Sequence, residues 1–374
     1  MTMATEQQRQ QHIMHHYKVL TDRQARRLEH SQNAASHDNP FSQSIAHSHD
    51  QHNRYCDIIP YNATRVTLTQ SDLGPTGTTA GYINASWVSF DQRKRYIAAQ
   101  GPLPSTCGDF WRMVLEHGVK MIVCLTPEVE NGRNKCAAYW PRSMDQEARF
   151  TLTSEQDDDE DDDDDQDDPR GGGGARRRRS FGHHLLYNKN GSHHTSTGRP
   201  TWTMQVKYTQ PEYMDQDAAC IIRPLEVSCY RHDHGGSSQK MASATVHQLH
   251  FLGWADHGVP QQTHSLNALV QLTNRLQPQP SDSELPPPMV VHCSAGCGRT
   301  GTFCVVDTGL TWLGEMKQGN NKSNNNNGNQ RMATMDPIYQ MTDTFRQQRT
   351  TMVQTPAQYL FCYRAIWDQL QRLD

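Results

Sequence analysis

From Met289 to Phe303 a short apolar run, Met289-Val290-Val291-His292, meets a glycine-bearing turn and then an apolar helical pattern, Thr300-Gly301-Thr302-Phe303-Cys304-Val305-Val306. A buried strand that must turn at once into a buried helix leaves the chain few alternatives. The turn holds Cys293, Ser294, Ala295, Gly296, Cys297 and Gly298, and five residues separate Cys293 from Arg299. Gly296 and Gly298 can take the positive φ that lets successive amide N–H groups point at one anion. The helix expected to begin near Arg299 aims its positive end at the same place. Amides, helix dipole and guanidinium together favour the thiolate of Cys293 over its thiol. The stretch therefore reads as a phosphate cradle with a nucleophile at its base.

The spacing alone does not carry this reading, because Cys136 and Arg142 repeat it around Ala137-Ala138-Tyr139-Trp140-Pro141. That segment has no glycine and two bulky aromatics, so its amides are not expected to curl around an oxyanion. The information lies in the filling of the loop and in the strand and helix on either side.

Composition narrows the class. With 374 residues, 34% of them hydrophobic, the chain can bury one large α/β core. No window of about 18 apolar residues occurs, so no membrane span is expected. Met1 to Gln11 is polar, without the apolar region of a signal peptide. Ten cysteines without paired spacings suit a reducing compartment, and the expectation is a cytoplasmic protein, with the nucleus as a further location. His47, His49 and His52, like His183, His184, His193 and His194, lack cysteine or acidic partners at ligand spacing, so neither metal nor cofactor is expected. The net charge of −4 is uneven: Glu155 to Arg179 carries 12 acidic residues and 5 arginines, which leaves the remainder at +3. A mildly basic body suits an anionic substrate, and nothing in the pattern points to nucleic acid.

Along the chain, Ile13 to Arg27 has helical spacing with Ile13, Tyr17, Leu20 and Ala25 as inward positions. Strands are expected at Gly81 to Val88, Arg95 to Ala99, Lys120 to Leu125, Trp202 to Thr209, Cys220 to Val227 and Thr245 to Leu252. Helices are expected at Thr106 to His117, His264 to Leu276, Thr300 to Met316 and Pro337 to Arg349, with a closing helix that runs to about Leu373. Residues 1–50 form a partly disordered helical arm, and 51–374 the catalytic domain. Low-complexity insertions interrupt it at about 143–199 and 319–330, the first for the most part too poor in apolar residues to offset the entropy of ordering, with a strand end expected at Phe150 to Thr153.

Several motifs in order then resemble the protein tyrosine phosphatases. His292-Cys293-Ser294-Ala295-Gly296-Cys297-Gly298-Arg299-Thr300-Gly301 matches the family signature. Asn53-Arg54-Tyr55-Cys56-Asp57-Ile58-Ile59-Pro60-Tyr61 resembles the loop that walls the pocket in tyrosine-specific members. Glu130 with Lys135-Cys136-Ala137-Ala138-Tyr139-Trp140-Pro141 is similar to another family segment, and Met352-Val353-Gln354-Thr355-Pro356-Ala357-Gln358-Tyr359 to a third. Trp254-Ala255-Asp256-His257-Gly258-Val259-Pro260 is similar to the mobile acid loop, with Ala255 where the family has proline. The resemblance implies a single α/β domain with a central twisted mixed β-sheet flanked by helices.

It also implies roles. Cys293 attacks phosphorus, Arg299 and the amides of Ser294, Ala295, Gly296, Cys297 and Gly298 bind the phosphoryl oxygens, and Asp256 protonates the leaving group. Thr300 steadies the departing sulfur, and Gln358 with Gln354 places the hydrolytic water. Tyr55 stacks on the substrate ring and Asp57 holds its backbone amides. Behind these stand Glu130, orienting Arg299, Lys135, contacting the acid loop, His292, tuning the thiolate through hydrogen bonds, and Trp254 at the head of the acid loop. The implied activity is hydrolysis of phosphotyrosine in signalling proteins through a cysteinyl-phosphate, with kinases such as a MAP kinase among the implied partners. Two alternatives use the same cradle: a dual-specificity phosphatase, against which the Asn53-Arg54-Tyr55 loop speaks, and a pseudophosphatase that binds phosphotyrosine without turnover, prompted by Ala255. A free alanine φ lowers the cost of other loop states, so lid closure is expected to be less favourable. Cys297 is also considered as a resolving thiol for an oxidised Cys293, although four residues of tight loop work against disulfide geometry.

Overall fold

Apolar residues on both faces of one sheet organise the molecule. In chain order the strands and longer helices are α1 (Met3–Asn33), β1 (Arg65–Thr67), β2 (Tyr82–Ser89), β3 (Arg95–Ala99), α2 (Cys107–Glu116), β4 (Met121–Cys124), β5 (Val129–Glu130), β6 (Arg133–Asn134), β7 (Ala148–Leu152), β8 (Thr201–Tyr208), β9 (Tyr213–Asp215), β10 (Cys220–His232), β11 (Ser238–Phe251), α3 (His264–Leu276), β12 (Met289–His292), α4 (Gly298–Gly319), α5 (Pro337–Gln348) and α6 (Pro356–Leu373). This computed structural model describes residues 3–33, 39–75, 81–91, 93–152, 200–233, 235–254, 258–278, 285–319 and 336–373. The acidic run, the Arg176–Arg179 cluster and most of the Asn-rich stretch lie outside the described residues.

The sheet runs β1-β2-β3-β12-β4-β11-β10-β8-β7, with β9 on β10. Its centre is parallel and its flanks antiparallel: β12 pairs in parallel with β3 and β4, and β4 with β11. Side chains alternate faces along each central strand. Met289 and Val291 join Tyr96, Ala98, Met121 and Val123 in one core, which includes Phe303 and Val306 of α4 and Tyr359 of α6. Val290 joins Ile97, Ala99 and Ile122 in the other, with Phe110, Trp111 and Met113 of α2. A central strand buried on both faces reads as an unbroken apolar run, which is how β12 and β4 stand in the sequence.

Three features differ from expectation. First, β10 and β11 run to 13 and 14 residues, well beyond the apolar segments. Their polar outer ends stay paired, Ser228 opposite Ser243 and His232 opposite Ser238, across a register shift at Cys229/Tyr230. Backbone hydrogen bonds continue a ladder after the hydrophobic signal has ended. Second, α1 is longer than the expected segment, and Ala25 is exposed while Leu20 is fully buried. The inward stripe continues through the polar Gln24 and Arg27, which find partners in Thr351 and Asp343. Third, α5 starts as expected at Pro337, with the Asp336 carboxylate accepting from the amides of Ile338 (3.0 Å) and Tyr339 (3.2 Å), but ends at Gln348. That leaves Arg349 just outside the helix.

Candidate active site

β12 ends at His292 and α4 begins at Gly298, so the turn between them sits at the end of the central strand. Every carbonyl of that turn has a partner. His292 Nδ1 lies 3.2 Å from the Cys293 oxygen, and the Gly101 amide donates to Ser294 O (2.9 Å). Arg349 donates to Ala295 O (3.0 Å) and Gly296 O (2.7 Å). The amides of Gly301 (2.8 Å) and Val353 (3.3 Å) donate to Cys297 O, and the Thr302 hydroxyl to Gly298 O (2.9 Å). No described peptide bond is cis. In a planar trans peptide the N–H points opposite the C=O. Carbonyls engaged outward from residues 293 to 298 therefore turn the amides of residues 294 to 299 toward the centre.

Cys293 lies buried at the foot of this ring, with the Gly296 amide donating to its sulfur at 3.2 Å. Gly296 has φ of +74°, and a Cβ there would stand 2.1 Å from the Ala99 carbonyl oxygen. Only glycine fits. Gly298 departs from expectation, since it is not among the residues with positive φ. Space is what it supplies: a Cβ would meet the amide groups of Gln358 and Gln354 at 3.0–3.1 Å.

Arg299 is fixed by several groups. Its guanidinium pairs with the buried carboxylate of Glu130, donates to Leu125 O (3.3 Å), and lies 5.9 Å from the centre of the Trp254 ring. Glu130 is presented by the β5–β6 hairpin, whose turn residues Asn131 and Gly132 both have positive φ, 51° and 69°. Asn-Gly is the preferred pair for such a two-residue turn. Lys135 follows the hairpin and lines the cleft.

The opposite wall is the loop around Tyr55. Asn53 holds it from inside, accepting from Tyr82 Oη (2.6 Å) and Asn84 Nδ2 (2.9 Å). Arg54 donates to the carbonyls of Gly101, Pro102 and Asn134, while Gln100 accepts from its amide. Between these anchors Tyr55 reaches in, its hydroxyl 2.8 Å from Ser294 Oγ, and the exposed Asp57 lines the cleft.

His292 is fully buried, and burial pushes it down to about 3. The ring is thus neutral. Its Nδ1 must carry the proton donated to the Cys293 carbonyl, which leaves Nε2 to accept from the Tyr139 hydroxyl at 2.7 Å. Burial, then the charge of Cys293, pushes the Cys297 thiol up to about 12, which keeps it a thiol rather than an attacking thiolate. Thr300 is buried with no described partner for its hydroxyl.

Together these groups surround a cleft of about 310 Å³ lined by Tyr55, Asp57, Glu130, Lys135, Cys293, Ser294, Ala295, Cys297, Gly298, Arg299, Gln354 and Gln358. Gly296, Thr300, His292 and Trp254 stand behind its surface. Asp256 and Ala255 lie outside the described residues. The ends of their loop are joined, since Trp254 Nε1 donates to Gly258 O at 3.1 Å. A larger cleft of about 490 Å³, lined by Lys94, Arg95 and Asn274 among others, opens by Met289 at the other end of β12, and Lys94 there is already paired with Asp307 at 3.2 Å. Sequence reasoning missed Arg349. Fully buried, it also donates to Ser86 Oγ (3.1 Å) and Asn84 Oδ1 (2.7 Å) while holding two cradle carbonyls. Nothing around Arg349 marks it; only long-range packing assigns it this place.

The mixed α/β sheet thus seats a cysteine beneath inward amides and beside a fixed arginine, a set of groups that can hold a phosphate-like anion against sulfur. A family model described as protein-tyrosine phosphatase matches residues 49–166 and 187–368. Human tyrosine-protein phosphatase non-receptor type 20 is 31% identical over 336 residues, covering 89% of this chain and 58% of that protein. Mouse non-receptor type 9 is 30% identical over 341 residues (89% and 44%), and chicken receptor-type tyrosine-protein phosphatase eta 30% over 345 (92% and 18%). The chain thus spans between 18% and 58% of the length of these relatives. The crystal structure of the catalytic domain of human protein tyrosine phosphatase non-receptor type 18 matches with a TM-score of 0.63 at 25% identity, covering 98% of this chain and 99% of that one. The chain belongs to the protein-tyrosine phosphatase family, a family of hydrolases. Among the described residues no helix is long and apolar enough to cross a membrane.

Proposed function

We propose that the chain hydrolyses phosphotyrosine in proteins by two successive transfers at phosphorus. The observation that carries this reading is the outward engagement of all six carbonyls from Cys293 to Gly298. It leaves a ring of amide donors that need not reorganise when charge develops on phosphoryl oxygens. In the first step the Cys293 thiolate attacks phosphorus, a sulfur–phosphorus bond forms, and the bond to the tyrosine oxygen breaks. The phenolate, whose acid has a pKa of about 10, takes a proton from Asp256. In the second step water adds to phosphorus and gives a proton to the Asp256 carboxylate. The sulfur–phosphorus bond breaks with its electron pair returning to Cys293, and inorganic phosphate leaves.

Arg299, held flat by Glu130, binds two phosphoryl oxygens, and the Thr300 hydroxyl donates to the sulfur as it departs. Gln358 and Gln354 place the water, Tyr55 and Asp57 take the substrate ring and backbone, and Lys135 meets the loop that carries Asp256. The electrostatic work falls on arginine and amides, so these steps need no metal. The same reading places the chain in signalling through phosphotyrosine proteins of the cytoplasm or nucleus.

Burst and steady-state release of p-nitrophenol from p-nitrophenyl phosphate tests turnover, and a panel of phosphotyrosine, phosphoserine and phosphothreonine peptides tests selectivity. Turnover confined to phosphotyrosine is expected, with Asp256→Ala capturing phosphotyrosine proteins. Tight binding without turnover would make the chain a binding module instead. Comparable rates on phosphothreonine peptides would make it a dual-specificity enzyme.

A further inference from the structure

The turn that carries Gln354 toward the cradle is held in an unfavourable shape. Thr351 (φ +62°) and Val353 (φ +57°) occupy the left-handed region, which disfavours β-branched residues. Such a conformation persists only where its surroundings hold it, and much of what holds this one is the N-terminal helix. Gln24 accepts from the Thr351 amide (2.8 Å) and donates to the Thr351 hydroxyl (3.1 Å). The Tyr17 hydroxyl donates to the Gln354 carbonyl (2.5 Å), and its ring lies 5.2 Å from the Arg346 guanidinium. Arg346 in turn donates to the carbonyls of Met352 (2.9 Å) and Val353 (2.8 Å). Further along α1, Arg23 and Arg27 pair with Asp343 at 2.7 and 2.5 Å, fixing the helix on α5.

We propose that α1 is a brace whose Tyr17 and Gln24 are positioning residues for Gln354 and Gln358, so that α1 sets the rate of the second chemical step more than the first. The inference rests on the phosphatase reading above. Its selectivity for one step follows from where the contacts fall. The side chains of Gln354 and Gln358 border Gly298 at the mouth of the cradle, where the hydrolytic water must enter. Arg349, which shapes the cradle itself, is anchored separately by Ser86 and Asn84. Arg299 is held by Glu130, Leu125 and Trp254. The Val353 amide links the braced turn to the cradle at Cys297 O, a carbonyl that the Gly301 amide also holds from within α4. Loosening α1 therefore misplaces the glutamines while cysteine, arginine and amides stay set for attack on substrate. The step affected is the addition of water to cysteinyl-phosphate, in which the S–P bond breaks and the electron pair returns to Cys293.

The test uses the full chain with Tyr17→Phe, Gln24→Ala and the double variant, assayed with p-nitrophenyl phosphate by stopped flow. kcat/KM reports steps up to phosphoryl transfer onto Cys293, whereas kcat includes hydrolysis of the intermediate. Each single variant is expected to lower kcat roughly 3- to 10-fold, the effect of losing one net hydrogen bond, with kcat/KM within about 2-fold of the parent. The burst amplitude should rise as cysteinyl-phosphate accumulates. Gln24→Glu keeps the acceptor for the Thr351 amide and should recover part of kcat. Amide hydrogen exchange at Thr351 should accelerate in Gln24→Ala. Equal falls in kcat and kcat/KM would mean a merely structural role and overturn the proposal, as would unchanged kcat. A parent chain without turnover would instead sink the phosphatase reading, and unchanged Thr351 exchange would then refute the brace by itself.

Discussion

Two segments of this chain share the C-x5-R spacing, and they touch: Tyr139 of the first hydrogen-bonds His292, which precedes the second. Around Cys136 the polar groups are spent on the protein itself. The Ala137 amide donates to Pro102 O (2.8 Å), and the Tyr139 carbonyl accepts from Trp111 Nε1 (2.7 Å). Arg142 is tied to Glu128 through both nitrogens (2.5 and 2.6 Å). The Cys136 thiol donates to the Ala137 carbonyl (3.2 Å), and burial pushes it well above its ordinary value. Cys293 sits in the opposite relation, its sulfur accepting from the Gly296 amide. The difference is the direction of the peptide groups. One loop turns its amides onto protein acceptors and packs aromatics into the core; the other turns its carbonyls outward and leaves its donors for an anion.

Exchanging chemistry between the two loops tests this contrast. Cys293→Ser is expected to lower kcat on the order of 10^4-fold or more, and Cys136→Ser to leave it within a few-fold, both read with p-nitrophenyl phosphate. Equal losses would erase the distinction. Next in size, Gly296→Ala forces a Cβ to 2.1 Å from Ala99 O at a φ of +74°. It should cost roughly 2–4 kcal/mol in denaturant unfolding and about 100-fold in kcat/KM. Ala137→Gly should cost about 1 kcal/mol or less and leave kcat/KM unchanged. Arg349→Met frees the Ala295 and Gly296 carbonyls, and kcat/KM should fall roughly 10- to 100-fold.

A further effect concerns the histidines beneath the two loops. Burial pushes His292 down to about 3 and His250, beside Trp140, down to about 4. Below about pH 6.5 the unfolded chain protonates both while the folded chain does not, so stability falls as pH falls toward these values. By pH 5 each should have lost about 1–2 kcal/mol, visible as a drop in Tm, and His250→Gln should flatten the slope. A Tm unchanged from pH 7 to 5 would contradict buried neutral rings.

The cradle was legible in the sequence because its chemistry depends on residue types at short spacing: one cysteine, two glycines, one arginine, a strand before and a helix after. The expectation failed where a residue acts by shape or over distance. Gly298 is needed for the room it leaves Gln358 and not for positive φ. Arg349 acts on a carbonyl 53 residues away, a contact no local pattern encodes. The Asn131-Gly132 hairpin that aims Glu130 was not read as a turn in the sequence, and its purpose appears only once Arg299 lies opposite. Along α1 the inward stripe passes from apolar to polar residues, so apolar periodicity ended before the helix did, and the braces at Gln24 and Arg27 went unseen.

The most direct test of the central claim is where phosphate goes during turnover. The full chain, mixed with p-nitrophenyl phosphate, is quenched in acid within the burst, digested and mapped by mass spectrometry. One phosphoryl group is expected on the peptide containing Cys293, absent from the Cys136 peptide and lost in Cys293→Ser. Turnover with no label on Cys293, or with label on another residue, would contradict it.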